Sequence, residues 1–321
     1  MINSDVKVLR RNTLEVHYFF NDDTHTMDAV VQNRCEYELL GIAKEVASMF
    51  GVAIYIETEP LADGGLKRWF SLISKEEDKK ANITTALLTA LIMAIVVNPL
   101  SKLTDKSIEN IFEDSEVKEL EKEKLKLEVE KLKQDTYIIN HKLEENNIIK
   151  KKKSNFYESL DKYPKIKAVS FTVDTQKTRE VIIKKKMFNE FILVSNDIDP
   201  IEIEDTSIEI ISPVLKKGNY KWMGIYNGIP TAFNMKSNEF KSLVQTGAIQ
   251  FKNGSTINCS LYINKKIDNQ GHEKVTSYDI MRVNSYFENN KPVETPEGKQ
   301  HRRAKAADKQ QLNLFAINDN N

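Results

Sequence analysis

The chain has 321 residues, and its 47 lysine and arginine side chains are balanced by 47 aspartate and glutamate side chains. A chain of this length exceeds one average domain, so we expect two folded units with connecting segments. The balanced charge provides no overall field that would attract nucleic acid or a membrane, so any such contact must be local.

The cysteines and the start of the chain bear on the compartment. Cys35 and Cys259 are the two cysteines, and they lie far apart in the sequence. This spacing fits a reducing compartment better than a disulfide framework, and the apolar patterns around both residues predict core positions. Residues 1–11 are polar and lack an apolar signal-peptide core, so no N-terminal export signal is predicted.

Residues 1–80 predict a small α/β domain. Short runs of branched and aromatic residues at 14–20 and 52–58 are typical of strands. Between them, apolar residues recur at three- and four-residue steps over residues 27–49, which predicts a helix with one apolar stripe. A second helix is expected at residues 66–73, after a loop that contains two glycines.

Residues 81–103 predict an apolar helix. No charged residue occurs between Lys80 and Lys102, and a helix of the uncharged length would measure about 31 Å, which is enough to cross a bilayer core. The most apolar part, residues 83–97, would measure only about 22 Å. The segment is interpreted as a candidate transmembrane span, and burial of an all-round apolar helix inside protein is the alternative.

Residues 104–153 predict a charged coiled-coil-type helix followed by a linker at 150–154. Residues 107–149 are rich in Glu, Lys and Leu and contain neither Gly nor Pro. Steps of four and three residues separate apolar side chains that match heptad a and d positions, namely Leu125, Val129, Leu132, Ile139 and Leu143. This stripe predicts a homo-oligomer, with packing on the chain's own domains as the alternative.

Residues 154–287 predict a β-rich domain, and residues 288–321 a disordered tail. Short strand-like runs alternate with turn residues in the β-rich part, and one short helix is expected at 238–244. The pattern predicts a mostly antiparallel barrel or sandwich, so the fold class of the whole chain is α+β. The tail is dominated by polar residues that do not form a core.

No set of side chains has the spacing of a catalytic site. The five histidines fall in separate contexts without a zinc-ligand pattern. Asp22, Asp23 and His25 form the densest polar group, which could hold a divalent cation or serve as a turn and helix cap. We assign no catalytic residue, no metal and no cofactor from the sequence.

Aromatic side chains alternate along neighbouring predicted strands of the β-rich domain. Such rings can form a platform for bases or sugars, but the alternation of Trp222 with polar neighbours predicts that this ring packs in the core. The lysine runs at 150–153 and 184–186 lack interleaved aromatic residues, so nucleic acid is not indicated directly. The four aromatic residues are Tyr220, Trp222, Tyr226 and Phe233.

The most specific short motif lies in the tail and reads Gln311-Leu312-Asn313-Leu314-Phe315. It resembles the pentapeptide with which bacterial replication and repair proteins bind the β sliding clamp. The resemblance implies that Gln311 hydrogen-bonds at the rim of the clamp pocket, while Leu312, Leu314 and Phe315 fill it. Folding back of this stretch onto the protein's own surface is the alternative.

The whole layout resembles bacterial proteins of uncharacterised function that join a small N-terminal domain, one apolar helix and a C-terminal β-rich domain. Residues 57–65 and 218–228 carry that likeness, and they imply no activity. The sequence therefore leaves three functional hypotheses from different classes of protein.

The first hypothesis is a non-enzymatic, membrane-associated scaffold or effector with its C-terminal domain in the cytoplasm, which self-associates and recruits a partner through its tail. The second is a soluble, cytoplasmic factor of DNA replication, bound to the sliding clamp through its tail and contacting nucleic acid with its β-rich domain. The third is a metal-dependent enzyme that uses Asp22, Asp23 and His25.

Overall fold

A computed structural model describes eight stretches of the chain, which form two compact units with separate cores. The first unit comprises Met1–Ser195 and Asp268–His272, and the second comprises Asn196–Ile267 and Glu273–Asn321. The described residues are 11–22, 26–58, 66–74, 85–99, 145–173, 180–216, 218–288 and 291–318. The predicted oligomerisation stripe lies outside these residues.

The first unit is built on a five-stranded antiparallel sheet with the order β2-β3-β1-β4-β5. Successive side chains of a strand point to opposite faces, so one face of this sheet supplies Leu14, Val16 and Tyr18 to the core. The strands are β1 (Arg11–Phe20), β2 (Ile54–Thr58), β3 (Leu66–Ser74), β4 (Ile166–Val173) and β5 (Val181–Lys184).

Three α-helices and a 3₁₀ helix belong to this unit. The first helix starts where the Asp28 carboxylate accepts hydrogen bonds from the backbone N–H groups of Val30 and Val31. Its predicted apolar stripe is buried, and Cys35 lies on it. The helices are α1 (Ala29–Met49), α2 (Thr85–Val97), α3 (Asn147–Asp161) and the 3₁₀ helix (Lys185–Phe191).

The apolar helix α2 lies in the core of the first unit. It contacts β1, β3 and β4 and also α1, and its side chains from Leu88 to Val96 are all buried. Neighbours on both sides explain why this helix is apolar all round. Burial, the alternative that the sequence left open, is the arrangement of this segment. Within the described ranges, no helix combines the length and the hydropathy needed to cross a membrane.

The lysine run expected to form a linker lies inside α3 instead, and Lys151, Lys152 and Lys153 are buried. The Lys153 ammonium donates a hydrogen bond to the carbonyl of Asn98, just beyond the end of α2, and lies 5.3 Å from the centroid of the Phe191 ring. A cation is favourable at a helix C-terminus, and long lysine stems pack against apolar surface. Composition alone does not reveal this role.

Two further expectations for this part of the chain are wrong. Residues 66–73, predicted as a helix, form β3 between β2 and β1. A short apolar run does not distinguish a strand from a helix, and the pairing on both sides decides for the strand. The sequence also placed the start of the β-rich domain at residue 154, whereas α3, β4 and β5 belong to the first unit and the second unit begins at Asn196.

The second unit contains the predicted barrel. Its sheet has the order β11-β10-β8-β7-β6-β9, and an additional pairing of β9 with β10 closes five of the strands into a barrel. The elements are β6 (Asp197–Ser212), β7 (Trp222–Tyr226), β8 (Ile229–Met235), α4 (Asn238–Gln245), β9 (Thr256–Ile267), β10 (Glu273–Glu288) and β11 (Lys291–Glu294).

Aromatic rings fill one part of the barrel core. The predicted inward position of Trp222 is confirmed, because its side chain is 1% exposed and its ring centroid lies 6.1 Å from that of Phe240 and 5.8 Å from that of Phe251. Cys259 is also buried in this core, as predicted. Phe240 lies on α4, so this helix covers the barrel interior.

The expectation of a disordered tail is wrong for residues 291–318. They form β11, which pairs with β10, and helix α5 (Pro296–Asn318). The polar composition that indicates disorder is here combined with buried anchors at the start of α5, where Thr295 and Gly298 are buried. The backbone of residues 311–315 is helical, and the side chains of this motif lie outside the described part of the structure.

Stability of the first unit should depend on the protonation of Lys153. Burial lowers the pKa of this amine to about 7, whereas it is about 10.4 in an unfolded chain. Between these values the unfolded chain binds more protons, so this group makes the free energy of unfolding rise with pH and removes that gain as pH falls towards 7.

We expect this rise to be about 1.5 kcal/mol between pH 7 and pH 8.5 in urea unfolding experiments. The variant Lys153→Met should lack it, while Lys44→Met, which changes an exposed lysine of α1, should retain it. Equal pH dependence in all three proteins would contradict the assigned role of Lys153.

Candidate ligand-binding end of the barrel

One end of the barrel collects several loops and a helix. Because β6, β7 and β8 pair antiparallel in turn, and β9 pairs antiparallel with β6, the end of β6, the start of β7, the end of β8 and the start of β9 lie together. This end therefore carries residues 213–221, helix α4 and residues 246–255. We refer to it as the α4 end.

Lysines are concentrated at the α4 end. Residues 213–221 and 236–255 contain six lysines and a single acidic residue, Glu239. Within the described residues none of these lysines forms an ion pair, and most of them are exposed. The described members of the set are Lys216, Lys221, Lys236, Lys241 and Lys252.

The loop between β6 and β7 presents an exposed aromatic ring, which lies between Lys216 and Lys221 in the sequence. The side chain of Tyr220 is 64% exposed, and Gly218 has a φ of +144°. A Cβ atom at Gly218 would lie 2.7 Å from Cε2 of Tyr220, so the ring rests against the glycine backbone. The side chain of Gln245 on α4 donates a hydrogen bond to the carbonyl of Lys216, which ties the loop to the helix.

Several acidic residues lie along β6 away from the α4 end. The part of β6 that is distant from the α4 end carries Asp197, Asp199, Glu202 and Glu204. Some of them are paired, for example Asp197 with Lys266 at 3.0 Å, and the hydrogen bond from Lys305 lowers the pKa of the Glu204 carboxyl. The lysines without ion pairs at the α4 end are thus separated from this acidic part of β6.

The structure separates the four aromatic residues that the sequence grouped together. Trp222 and Phe233 are buried and belong to the core, and Tyr226 is half-buried against it. Tyr220 alone of the four is fully on the surface. The flanking glycine and lysines were the sequence signal for such a loop, but alternation along strands drew the prediction to Trp222.

Of the polar group in the third hypothesis, Asp22 is the one member within the described residues. Asp22 pairs with Lys165 at 3.0 Å, and Asp23 and His25 lie outside the described residues. No group of three potential metal ligands occurs in the part of the chain that the structure describes. Burial raises the pKa of both Cys35 and Cys259 to about 12, which makes these thiols poor nucleophiles at neutral pH.

Acidic side chains of α1 are used within the first unit. The Glu36 carboxylate lies 2.7 Å from the Arg68 guanidinium, and Glu38, which is buried, accepts a hydrogen bond from Asn155 at 3.1 Å. The Lys152 ammonium lies 3.5 Å from the other Glu38 oxygen. These contacts join α1 to β3 and α3, so both carboxylates have a structural role.

Comparison of the chain with known proteins assigns it to no family. No protein-family model matches it, and neither the curated proteins nor the solved structures provide a match. Clustered lysines bind phosphate groups, and an exposed aromatic ring beside them can stack on a base.

Truncation should affect Tyr220 in the β6–β7 loop and Trp222 at the start of β7 to very different extents. The variant Trp222→Ala removes a buried ring and should lower the free energy of unfolding by about 3–5 kcal/mol. The variant Tyr220→Ala removes an exposed ring and should change it by less than about 0.5 kcal/mol. Urea unfolding measures both, and a large loss for Tyr220→Ala would place this ring in the core instead.

Proposed function

We propose that this protein is a nucleic-acid-binding factor associated with DNA replication or repair, which is recruited to a sliding clamp through its C-terminal helix. The strand order supports a binding role. We number the barrel strands β6 to β10 as 1 to 5 in chain order. Around the barrel they follow each other as 1-2-3-5-4, strand 4 pairs again with strand 1, and a helix lies between strands 3 and 4 in the chain. This is the arrangement of the oligonucleotide- and oligosaccharide-binding barrel, and the support it lends is fold analogy.

The observation that carries the proposal is the group of lysines without ion pairs at the α4 end, which also carries the exposed ring of Tyr220. A neutral oligosaccharide would gain nothing from this charge, whereas each phosphate of a nucleic acid gains from a nearby cation. The lysines track a backbone and the ring stacks on a base, and neither contact reads a particular base. Binding without strong sequence preference follows.

The tail motif supports the recruitment part of the proposal. Gln311, Leu312, Leu314 and Phe315 match the clamp-binding pentapeptide at all four of its defining positions. A small number of apolar side chains is enough for such peptide recognition, because these side chains fill a pocket that the partner provides. A clamp encircles DNA, so a clamp partner that also binds nucleic acid meets both ligands in one place.

The other two hypotheses receive less support. Membrane anchoring is not proposed, because the side chains of α2 from Leu88 to Val96 are taken up by the core. Self-association through the stripe from Leu125 to Leu143 stays a prediction, since this segment lies outside the described residues. An enzyme that uses Asp22 would first need to release it from Lys165.

Nucleic-acid binding is tested with a fluorescent single-stranded oligonucleotide and the triple variant Lys216→Ala, Lys221→Ala, Lys236→Ala. Each lost phosphate contact should reduce the slope of log K against log salt by about 0.7, so we expect a slope smaller by about 2 in fluorescence anisotropy titrations.

The matched control is a triple alanine variant of exposed lysines in the first unit, at Lys44, Lys162 and Lys167. It should bind with the slope of the wild type. Absence of binding at low salt, or equal losses in both triple variants, would contradict nucleic-acid binding at the α4 end.

Recruitment is tested by retention of the full-length protein on immobilised, purified β sliding clamp. The double variant Leu314→Ala, Phe315→Ala should lose at least nine-tenths of the retention, because it removes two apolar anchors. Asn313→Ala should keep it, since this residue occupies the variable position of the motif. Equal retention of the double variant and the wild type would contradict the proposal that this motif recruits the protein to the clamp.

A further inference from the structure

The start of α5 is fastened to β10 through its own cap. The hydroxyl of Thr295 donates to the carbonyl of Val283 and accepts a hydrogen bond from the N–H of Gly298 at 3.0 Å. Pro296 follows as the first residue of the helix, where a missing N–H costs nothing. The cap therefore serves the helix and the barrel at once.

Glu297 and Gly298 bring the first turn of α5 against the barrel. The Glu297 carboxylate accepts hydrogen bonds from the hydroxyl of Ser237 at 2.6 Å and from the N–H of Val283 at 2.8 Å. A Cβ atom at Gly298 would lie 2.1 Å from the carbonyl oxygen of Asn284. Only glycine allows this approach, so the helix is seated directly on the backbone of β10.

The next two turns of α5 are aligned by ion pairs. Arg302 donates two hydrogen bonds to the Glu294 carboxylate, at 2.8 and 3.2 Å, and Lys305 lies 2.7 Å from a Glu204 oxygen on β6. Exposed pairs of this kind add little stability, but two of them on different strands define a direction. Both cations are thus paired with carboxylates of strands in the second unit.

These contacts show where α5 goes. Ser237 caps α4 and lies at the α4 end, while Glu204 lies near the middle of β6. The helix therefore starts beside the α4 end and runs away from it along the barrel. At 1.5 Å per residue, Gln311 lies about 9 Å beyond Lys305 and about 21 Å from Glu297 along the helix.

We propose that α5 is a fixed arm, which holds the recruitment motif at residues 311–315 away from the α4 end so that one protein binds the clamp and a nucleic-acid strand together, in one relative orientation. This inference rests on the proposed function. A flexible tail would provide only the effective concentration of its length, whereas a fixed arm also sets the geometry.

Two variants release the arm in different ways. Gly298→Val places a side chain against the Asn284 backbone and should unseat the first turn of α5. The triple variant Ala304→Gly, Ala306→Gly, Ala307→Gly changes three exposed positions and weakens the helix without touching its anchors. The second variant keeps the test valid if the first fails to fold.

Limited proteolysis checks that the arm has been released. Trypsin should cleave Gly298→Val after Arg302 and Arg303 at least ten times faster than the wild type, while the circular dichroism of the barrel stays the same. Gln300→Ala, an exposed change in the same helix, should be cleaved at the rate of the wild type. Equal rates for Gly298→Val and the wild type would show that the anchor does not hold α5.

The functional test compares three ligands: a free oligonucleotide, free clamp, and clamp loaded on primed DNA. Both variants should bind each free ligand within twofold of the wild type and bind the loaded clamp at least tenfold more weakly. Unchanged affinity for the loaded clamp would overturn the fixed arm and leave the proposed function intact. Failure of the wild type to bind either free ligand would instead overturn the proposed function.

Discussion

The pairing of β9 with β10 is the constraint on which the second unit depends. It turns a row of strands into a closed barrel, in which the antiparallel pairing of β6, β7, β8 and β9 brings four strand termini to one end. Helix α4 crosses that end, tied at one terminus to the β6–β7 loop by Gln245 and at the other to α5 by Ser237. The segments that carry the lysines and the tyrosine of the α4 end lie at one end because β6, β7, β8 and β9 pair antiparallel in the order β8-β7-β6-β9.

In the first unit, the packing of helix α2 is the interaction on which the core depends. Its side chains are surrounded by β1, β3, β4 and α1, and its last carbonyls are met by donors from α3, where the Tyr157 hydroxyl bonds to Val96 at 2.8 Å and the Lys153 ammonium bonds to Asn98. A hydroxyl and an ammonium are placed in an apolar core because a helix end leaves carbonyl groups without partners. The same donors make that core sensitive to protonation.

Sequence reasoning succeeded where a pattern reports on local structure or on one face of an element. The stripe of α1, the helix at residues 238–244, the inward position of Trp222 and the barrel in its coarse form follow from periodicity and turn residues. It failed where the structure of a segment depends on contacts with residues that are distant in the sequence. Residues 66–73 became a strand between two others, and the tail became ordered because Gly298 meets Asn284. The composition of a segment does not indicate which distant residues it will contact.

The sequence by itself determined which segments are apolar, which are charged, and that residues 311–315 read Gln-Leu-Asn-Leu-Phe, because these are properties of residues in order along the chain. Only the tertiary structure decided that helix α2 is enclosed by the first unit, that the Tyr220 ring is exposed, and that α5 packs on β10. Burial is a property of neighbours in space. Those neighbours come from strands and helices that lie tens to hundreds of residues apart in the chain.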